Sequence, residues 1–291
     1  MTSVSIVERG GGPPQRRRRR GGGFSYVLPA LVLLLIVFVL PVLLLLLRSV
    51  TEPELGLQNY RELVESATYG RVFLNTFLVS SVVTAITVLV GFPIAWLLVI
   101  LPKRWADLLF GIIILSMWTN LLARTYAWMV LLQRTGVINK TLIGLGIIDE
   151  PLTLVNNLVG VTIGMTYIML PFIILPLVTT MRGIEPDLLR AAALCGAGRL
   201  DAFRRVLLPL SLPGIAAGGL MTFVMSLGYF VTPSLLGGTS NMMAAELIAQ
   251  LIQSLLNWGM GGAAAFALLV LTLALYALQL RLFRRTQAGR A

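Results

Sequence analysis

The chain has 291 residues, of which 57% are hydrophobic and only 12% charged, and it carries 23 lysines and arginines against 12 acidic residues. A soluble core of this length needs far less apolar material, so the composition points to an all-α, polytopic membrane protein. The absence of histidine and the single cysteine, Cys195, exclude a Ser-His-Asp triad, a histidine metal site and an internal disulfide.

Residues 1–24, with GGGPPQRRRRRGGG, are poor in apolar side chains and read as a disordered basic tail. Arg16 to Arg20 suit either nucleic acid or, with more weight, a topology signal drawn to anionic lipid. The first apolar run, about 26–47, is too long for a signal peptide and has no small-residue cleavage site, so it is expected to stay attached. Further runs at about 74–101, 107–130, 155–180, 213–236 and 262–282 complete six predicted spans, within a permease body over 25–283. They are continuous and not alternating, which excludes a closed barrel. Pro93, Pro171 and Pro176 fall inside spans, where they predict kinks or, as a second reading, hinges. Residues 242–256 place Leu247, Ile248, Leu251, Ile252 and Leu255 on one helical face, an amphipathic outer segment that packs on the bundle or meets a partner. A short tail, 284–291, ends the chain.

With both termini and the even connections placed inside, 17 lysines and arginines fall there against five outside, and Arg124 lies within a span. That bias predicts cytoplasmic termini and puts the connection at 182–212 on the same side. Within it, EPDLLRAAALCGAGRLDAFRRVLLPLSLPGI at 185–215 reads as two short helices. Pro186 and Asp187 suit a helix start, and Gly196 suits a left-handed stop. The second helix, about 200–207, with Arg199, Arg204 and Arg205 beside it or in it, is expected to be stopped by Pro209 and Pro213. Cys195 reads as a small buried residue of this hairpin.

The spacing of that hairpin resembles the EAA motif of ABC importer permeases. Ala191 and Ala192 match the motif's alanines, Gly196 its glycine, Val206 its aliphatic position, and Leu208-Pro209 its Leu-Pro; Arg190 stands where the family has glutamate. NTFLVS at 75–80, WTNLLARTYAWMVLL at 118–132, GVIN at 136–139, LPFIILPL at 170–177 and GYFVTPSLLGG at 228–238 are similar to the spermidine/putrescine branch. The resemblance implies that residues 185–209 dock on a separate ATPase, with Arg190, Ala191, Ala192, Gly196, Arg199, Arg204, Arg205, Val206, Leu208 and Pro209 at the contact. It also implies an extracytoplasmic solute-binding protein, a second permease (a sister chain more than an identical one), and location in a bacterial inner membrane.

Polar residues at membrane depth are the candidates for the solute pathway. They are Asn120, Arg124 and Tyr126 on the third span and Tyr229 and Thr232 where the fifth approaches Pro233. Arg124 equally suits snorkelling beside an aromatic belt of Trp118, Tyr126 and Trp128. Polyamine-type relatives often have an acid where this chain has Tyr229, which offers stacking or a hydroxyl but no counter-charge.

No phosphate-binding loop is present, since Lys103 follows Pro102 and Lys140 follows Asn139. The chain is therefore expected to be no enzyme and to bind no cofactor itself. The resemblance implies that ATP and Mg are held by the partner ATPase and that the chain takes up a small polar solute of polyamine type by alternating access. The alternative is an ATP-independent secondary transporter or channel, which would normally couple through intramembrane charges that are scarce here.

Overall fold

The computed structural model describes residues 23–288; Arg16 to Arg20, the rest of the predicted N-terminal tail up to residue 22, and residues 289–291 lie outside the described residues. The chain divides into two units, residues 1–45 and 46–291. Helix α1 occupies 23–51, and its candidate membrane span, Val27–Thr51, has a mean hydropathy of 3.5.

After α1 the helices are α2 (Gln58–Glu65), α3 (Ala67–Ile100), α4 (Lys103–Trp118), α5 (Leu121–Leu132), α6 (Val137–Gly144) and α7 (Leu158–Arg182). Then come α8 (Pro186–Leu194), α9 (Arg199–Leu227), α10 (Val231–Leu236), α11 (Ala244–Gln253) and α12 (Trp258–Ala288). Among the described residues five helices are long and apolar enough to cross a membrane, or six when a bent pair is taken as one span. No strand occurs among the described residues.

The centre of the bundle is the trio α3, α7 and α9. Small residues let their backbones approach: a Cβ on Gly91 of α3 would stand 2.5 Å from Ile173 Cγ2, and one on Gly218 of α9 would stand 2.6 Å from Ile173 Cδ1. Such close approach is how helices gain packing energy where the surrounding lipid is as apolar as leucine. Two apolar clusters fill opposite ends of the trio. At one end Phe92, Leu98, Met181 and Leu207 gather beneath the 183–198 connection. At the other, Val79, Val161, Met165, Leu236 and Met243 gather beneath α5, α10 and α11.

The family-like segments have local structural reasons. Asn139 of GVIN donates to the carbonyls of Gln133 and Leu152, both at 3.0 Å, and accepts from Leu152 N at 2.8 Å, pinning a thirteen-residue excursion. Thr76 of NTFLVS accepts from Ala244 N at 2.7 Å, which satisfies one of the orphan donors at the start of α11. Leu247 and Leu251 of that amphipathic helix are buried on the bundle, whereas Leu255 lies beyond the helix end and is exposed.

Two predicted elements differ from the structure. The third span is broken: α4 ends at Trp118, and the chain resumes at Leu121 bent by 100°. The break falls at Thr119-Asn120, where the Asn120 side-chain Oδ1 accepts from Leu122 N at 2.9 Å and Ala123 N at 3.3 Å and so starts a new helix. The fifth span begins at Arg199 and runs straight through Pro209 and Pro213 to Leu227, with α10 separate from it. A wide turn at Phe203–Leu207, where Leu208 N bonds to Phe203 O, precedes Pro209. Widening by one residue moves the carbonyl with which the proline ring would collide, so the helix survives. The same device, Leu35–Val39, precedes Pro41 in α1.

Candidate functional site

The hairpin at 183–209 is built as its residues require. Pro186 opens α8 with Asp187 in the first turn, favourably placed at the helix's positive pole. At its end Gly196 adopts φ +84°, its N–H bonds to Ala193 O at 3.0 Å, and Ala197 N bonds to Ala192 O at 3.0 Å. Those two bonds form a Schellman closure, in which glycine bears the left-handed residue without steric cost. Cys195 caps α8 and is exposed, not buried as its residue type suggested, because the closing turn carries it away from the bundle.

Phe203 holds the hairpin to the bundle. Its ring meets Phe92 edge-on at 5.7 Å and Trp96 at 6.4 Å, and Leu189 packs on the same cluster. Between α8 and the start of α9 lies a cavity of about 420 Å³ lined by Trp96, Leu189, Ala193, Ala197, Arg199 and Phe203. Ala191, Gly196, Arg199 and Arg204 are exposed; Ala192, Val206, Leu208 and Pro209 are half-buried. Arg190 bonds to Asp187 at 3.0 Å and Arg205 reaches Asp201 at 3.6 Å, both in the open, where such pairs add little stability and leave the cations available. Thus the hairpin residues singled out from sequence share one end of the bundle.

The pathway candidates sit at the opposite end and are only partly brought together. Thr232 of α10 meets Thr125 of α5, hydroxyl to hydroxyl, at 3.4 Å. Arg124 lies close enough for its charge to act on the Tyr229 hydroxyl. Arg124 Nε is buried without a hydrogen-bond partner, and the buried Tyr229 hydroxyl faces Thr232. Asn120 is occupied in capping α5, and Tyr126 points elsewhere, half exposed. Trp128 packs inward with its ring 5.6 Å from Tyr167, unlike Trp118, which is 85% exposed. Sequence reading missed Thr125 and the fully buried hydroxyls of Ser80, Thr222 and Ser226, which lack partners within the helices. Their signal is hydroxyls in an apolar run, four residues apart on α9; it is weak because such groups usually bond their own helix backbone.

No group of three potential metal ligands occurs among the described residues. A multi-pass helical bundle with an exposed, glycine-closed hairpin between two spans defines a membrane permease. The chain belongs to the family described as binding-protein-dependent transport system inner membrane component, which matches residues 24–288. It is 33% identical over 214 residues to the spermidine/putrescine transport system permease protein PotB of Escherichia coli, covering 74% of this chain and 78% of that one. To PotB of Haemophilus influenzae it is 35% identical over 215 residues, 74% of this chain and 75% of the relative. The inner membrane ABC transporter permease protein YdcU of Escherichia coli is 36% identical over 243 residues, 78% of this chain and 75% of that protein. The fold is that of a bacterial alginate ABC transporter crystallised with its alginate pentasaccharide-bound periplasmic protein. That match has a TM-score of 0.75 at 18% identity and covers 90% of this chain and 94% of the other.

Proposed function

We propose that the chain is one half of the pore of an ATP-driven importer and takes up a polyamine-type solute by alternating access. The likeness to spermidine/putrescine permeases over 74% of the chain carries the choice of solute class. In this reading both termini and the hairpin are cytoplasmic, in accord with the 17-to-5 distribution of basic residues. An ATPase pair, holding ATP and Mg, grips residues 185–209; Ala191, Ala192 and Gly196 supply close fit, while Arg190, Arg199, Arg204 and Arg205 meet acidic or polar surface. Val206, Leu208 and Pro209 pass the motion into α9, which is continuous from Arg199 to Leu227 and packs on α3 and α7. A solute-binding protein docks at the α2, α6 and α11 end, and a sister permease completes the pore. Arg124, Tyr229 and Thr232 line the outer part of the pathway.

The test is co-purification and uptake. The solubilised chain should bring an ATPase subunit with it, and cells carrying the whole system should take up labelled spermidine or putrescine only when that ATPase can hydrolyse ATP. Uptake by the purified chain alone in liposomes, without ATP, would replace this reading with a secondary carrier.

A further inference from the structure

We infer that the α4–α7 seam binds one anionic phospholipid, its headgroup on Lys103, Arg104 and Arg182 and an acyl chain in the groove above them. Lys103 and Arg104 open α4, and Arg182 ends α7. All three are exposed, and among the described residues none forms an ion pair within 4 Å with a carboxylate. A cationic first turn is opposed by the helix's own positive pole, so two basic residues there leave a positive potential that an external anion relieves. Arg182 Cζ stands over Phe110, 5.9 Å from the ring centre, which places its guanidinium on the α4 side of the seam. Asp107, the one acid on α4, leaves the cluster net positive. Trp105 beside it is 61% exposed, an amphipathic ring suited to the headgroup level.

Further along the seam is a cavity of about 210 Å³ lined by Ile112, Ile113, Ser116, Tyr167, Pro171 and Ile174. The Ser116 hydroxyl donates to Ile113 O at 2.7 Å, and apart from Ser116 and the Tyr167 hydroxyl the lining is apolar, which suits a hydrocarbon chain. Ile174 to Tyr167 lie eight to fifteen residues from Arg182 along α7, roughly 12 to 22 Å at 1.5 Å per residue. That range brackets the ~15 Å depth of one leaflet, half of a hydrocarbon core about 30 Å thick. A phosphate on the basic end and a tail in the groove therefore match in both charge and length. The inference rests on the proposed function only for calling that leaflet the inner one. Since Arg182 leads directly into the hairpin, the lipid would brace the segment through which coupling passes.

The test is native mass spectrometry of the full chain with the subunits it brings, delipidated and titrated with phosphatidylglycerol or phosphatidylcholine of the same chain length. One phosphatidylglycerol per chain should be retained at least about tenfold more tightly than phosphatidylcholine, a difference of about 1.4 kcal/mol. Replacing Lys103, Arg104 and Arg182 together by glutamine should bring it to the phosphatidylcholine level. Ser116→Phe, which fills the groove and leaves the charges, should weaken retention of both lipids. Equal retention of the two lipids by the native chain, unchanged preference in the triple variant, or a helix of a second permease seated over the groove would overturn the proposal. The readout needs neither ATP nor solute, so failure of the importer reading would show separately, as absence of a bound ATPase.

Discussion

Gly218 and Ile173 are in backbone contact range: a Cβ on Gly218 would lie 3.1 Å from the Ile173 Cα as well as 2.6 Å from its Cδ1. A rotamer change frees the second clash but not the first, so any side chain at 218 must push α9 away from α7. Gly218→Val should therefore destabilise the bundle by about 1–3 kcal/mol, the usual cost of overpacking. Gly219→Ala, whose nearest neighbours would stand at 3.8 and 3.9 Å, should be nearly neutral. Thermal unfolding of the two purified variants separates them; equal midpoints would show that α7 and α9 are not held as closely as described.

Gly196 has open space around its Cβ position, so only its φ of +84° demands glycine. Gly196→Val should strain the closing turn, since a left-handed residue with a branched side chain costs at least ~1–2 kcal/mol. Gly196→Asn should preserve the turn, because asparagine tolerates that conformation. Loss of solute-stimulated ATPase activity in the valine variant alone marks the turn geometry as the requirement. Loss in both variants, with normal insertion, marks the glycine's surface as a contact for the ATPase.

The hairpin was legible in the sequence because turn chemistry is local: Pro186, Asp187 and Gly196 state their conformations without reference to anything distant. The same local reading failed at Pro209, since the five-residue wide turn just upstream, Phe203–Leu207, cancels the clash that makes proline a breaker. It failed again at Asn120, where continuous hydropathy hid a 100° bend that the side-chain cap makes possible. The pathway was the least legible part. Thr125 and Thr232 are 107 residues apart and meet only because α5 folds back at that bend, which no periodicity reports.

Asn139 bridges Gln133 and Leu152, and all three of these hydrogen bonds go to backbone. Asn139→Ala strands those groups beneath the loop and should cost about 1–3 kcal/mol. Limited proteolysis should then cut within 145–152 much faster than in the native chain. Asn139→Asp, which keeps an acceptor for Leu152 N and loses both donated bonds, should fall between the two.

Glu246, on α11 outside the spans, has its carboxyl pKa pushed up by burial, offset only in part by the Met243 backbone amide, and its Oε2 is buried without a partner. A folded-state value above the unfolded one, near 4.3 for glutamate, makes its contribution fully present below that pH and lost as pH rises through the folded value. Stability relative to Glu246→Gln should therefore decline as pH climbs from about 4 towards neutrality. A Tm difference between the two proteins that stays constant from pH 4 to 7 would mean that the carboxylate is as well solvated as in the unfolded chain.

Arg124 and Tyr126 are neighbours in sequence but face different surroundings, which separates a pathway role from an aromatic-belt role. The guanidinium Nε is buried and its charge is felt at Tyr229, while the Tyr126 ring is 50% exposed. If Arg124 touches solute, Arg124→Gln should raise the KM for uptake or alter the choice among solutes, by about tenfold for each 1.4 kcal/mol, while basal ATPase activity stays intact. Tyr126→Ala should change neither. An Arg124→Gln transporter with native KM and native selectivity, but a lowered Tm, would place Arg124 among the residues that hold α5 over α10 and take it out of the pathway.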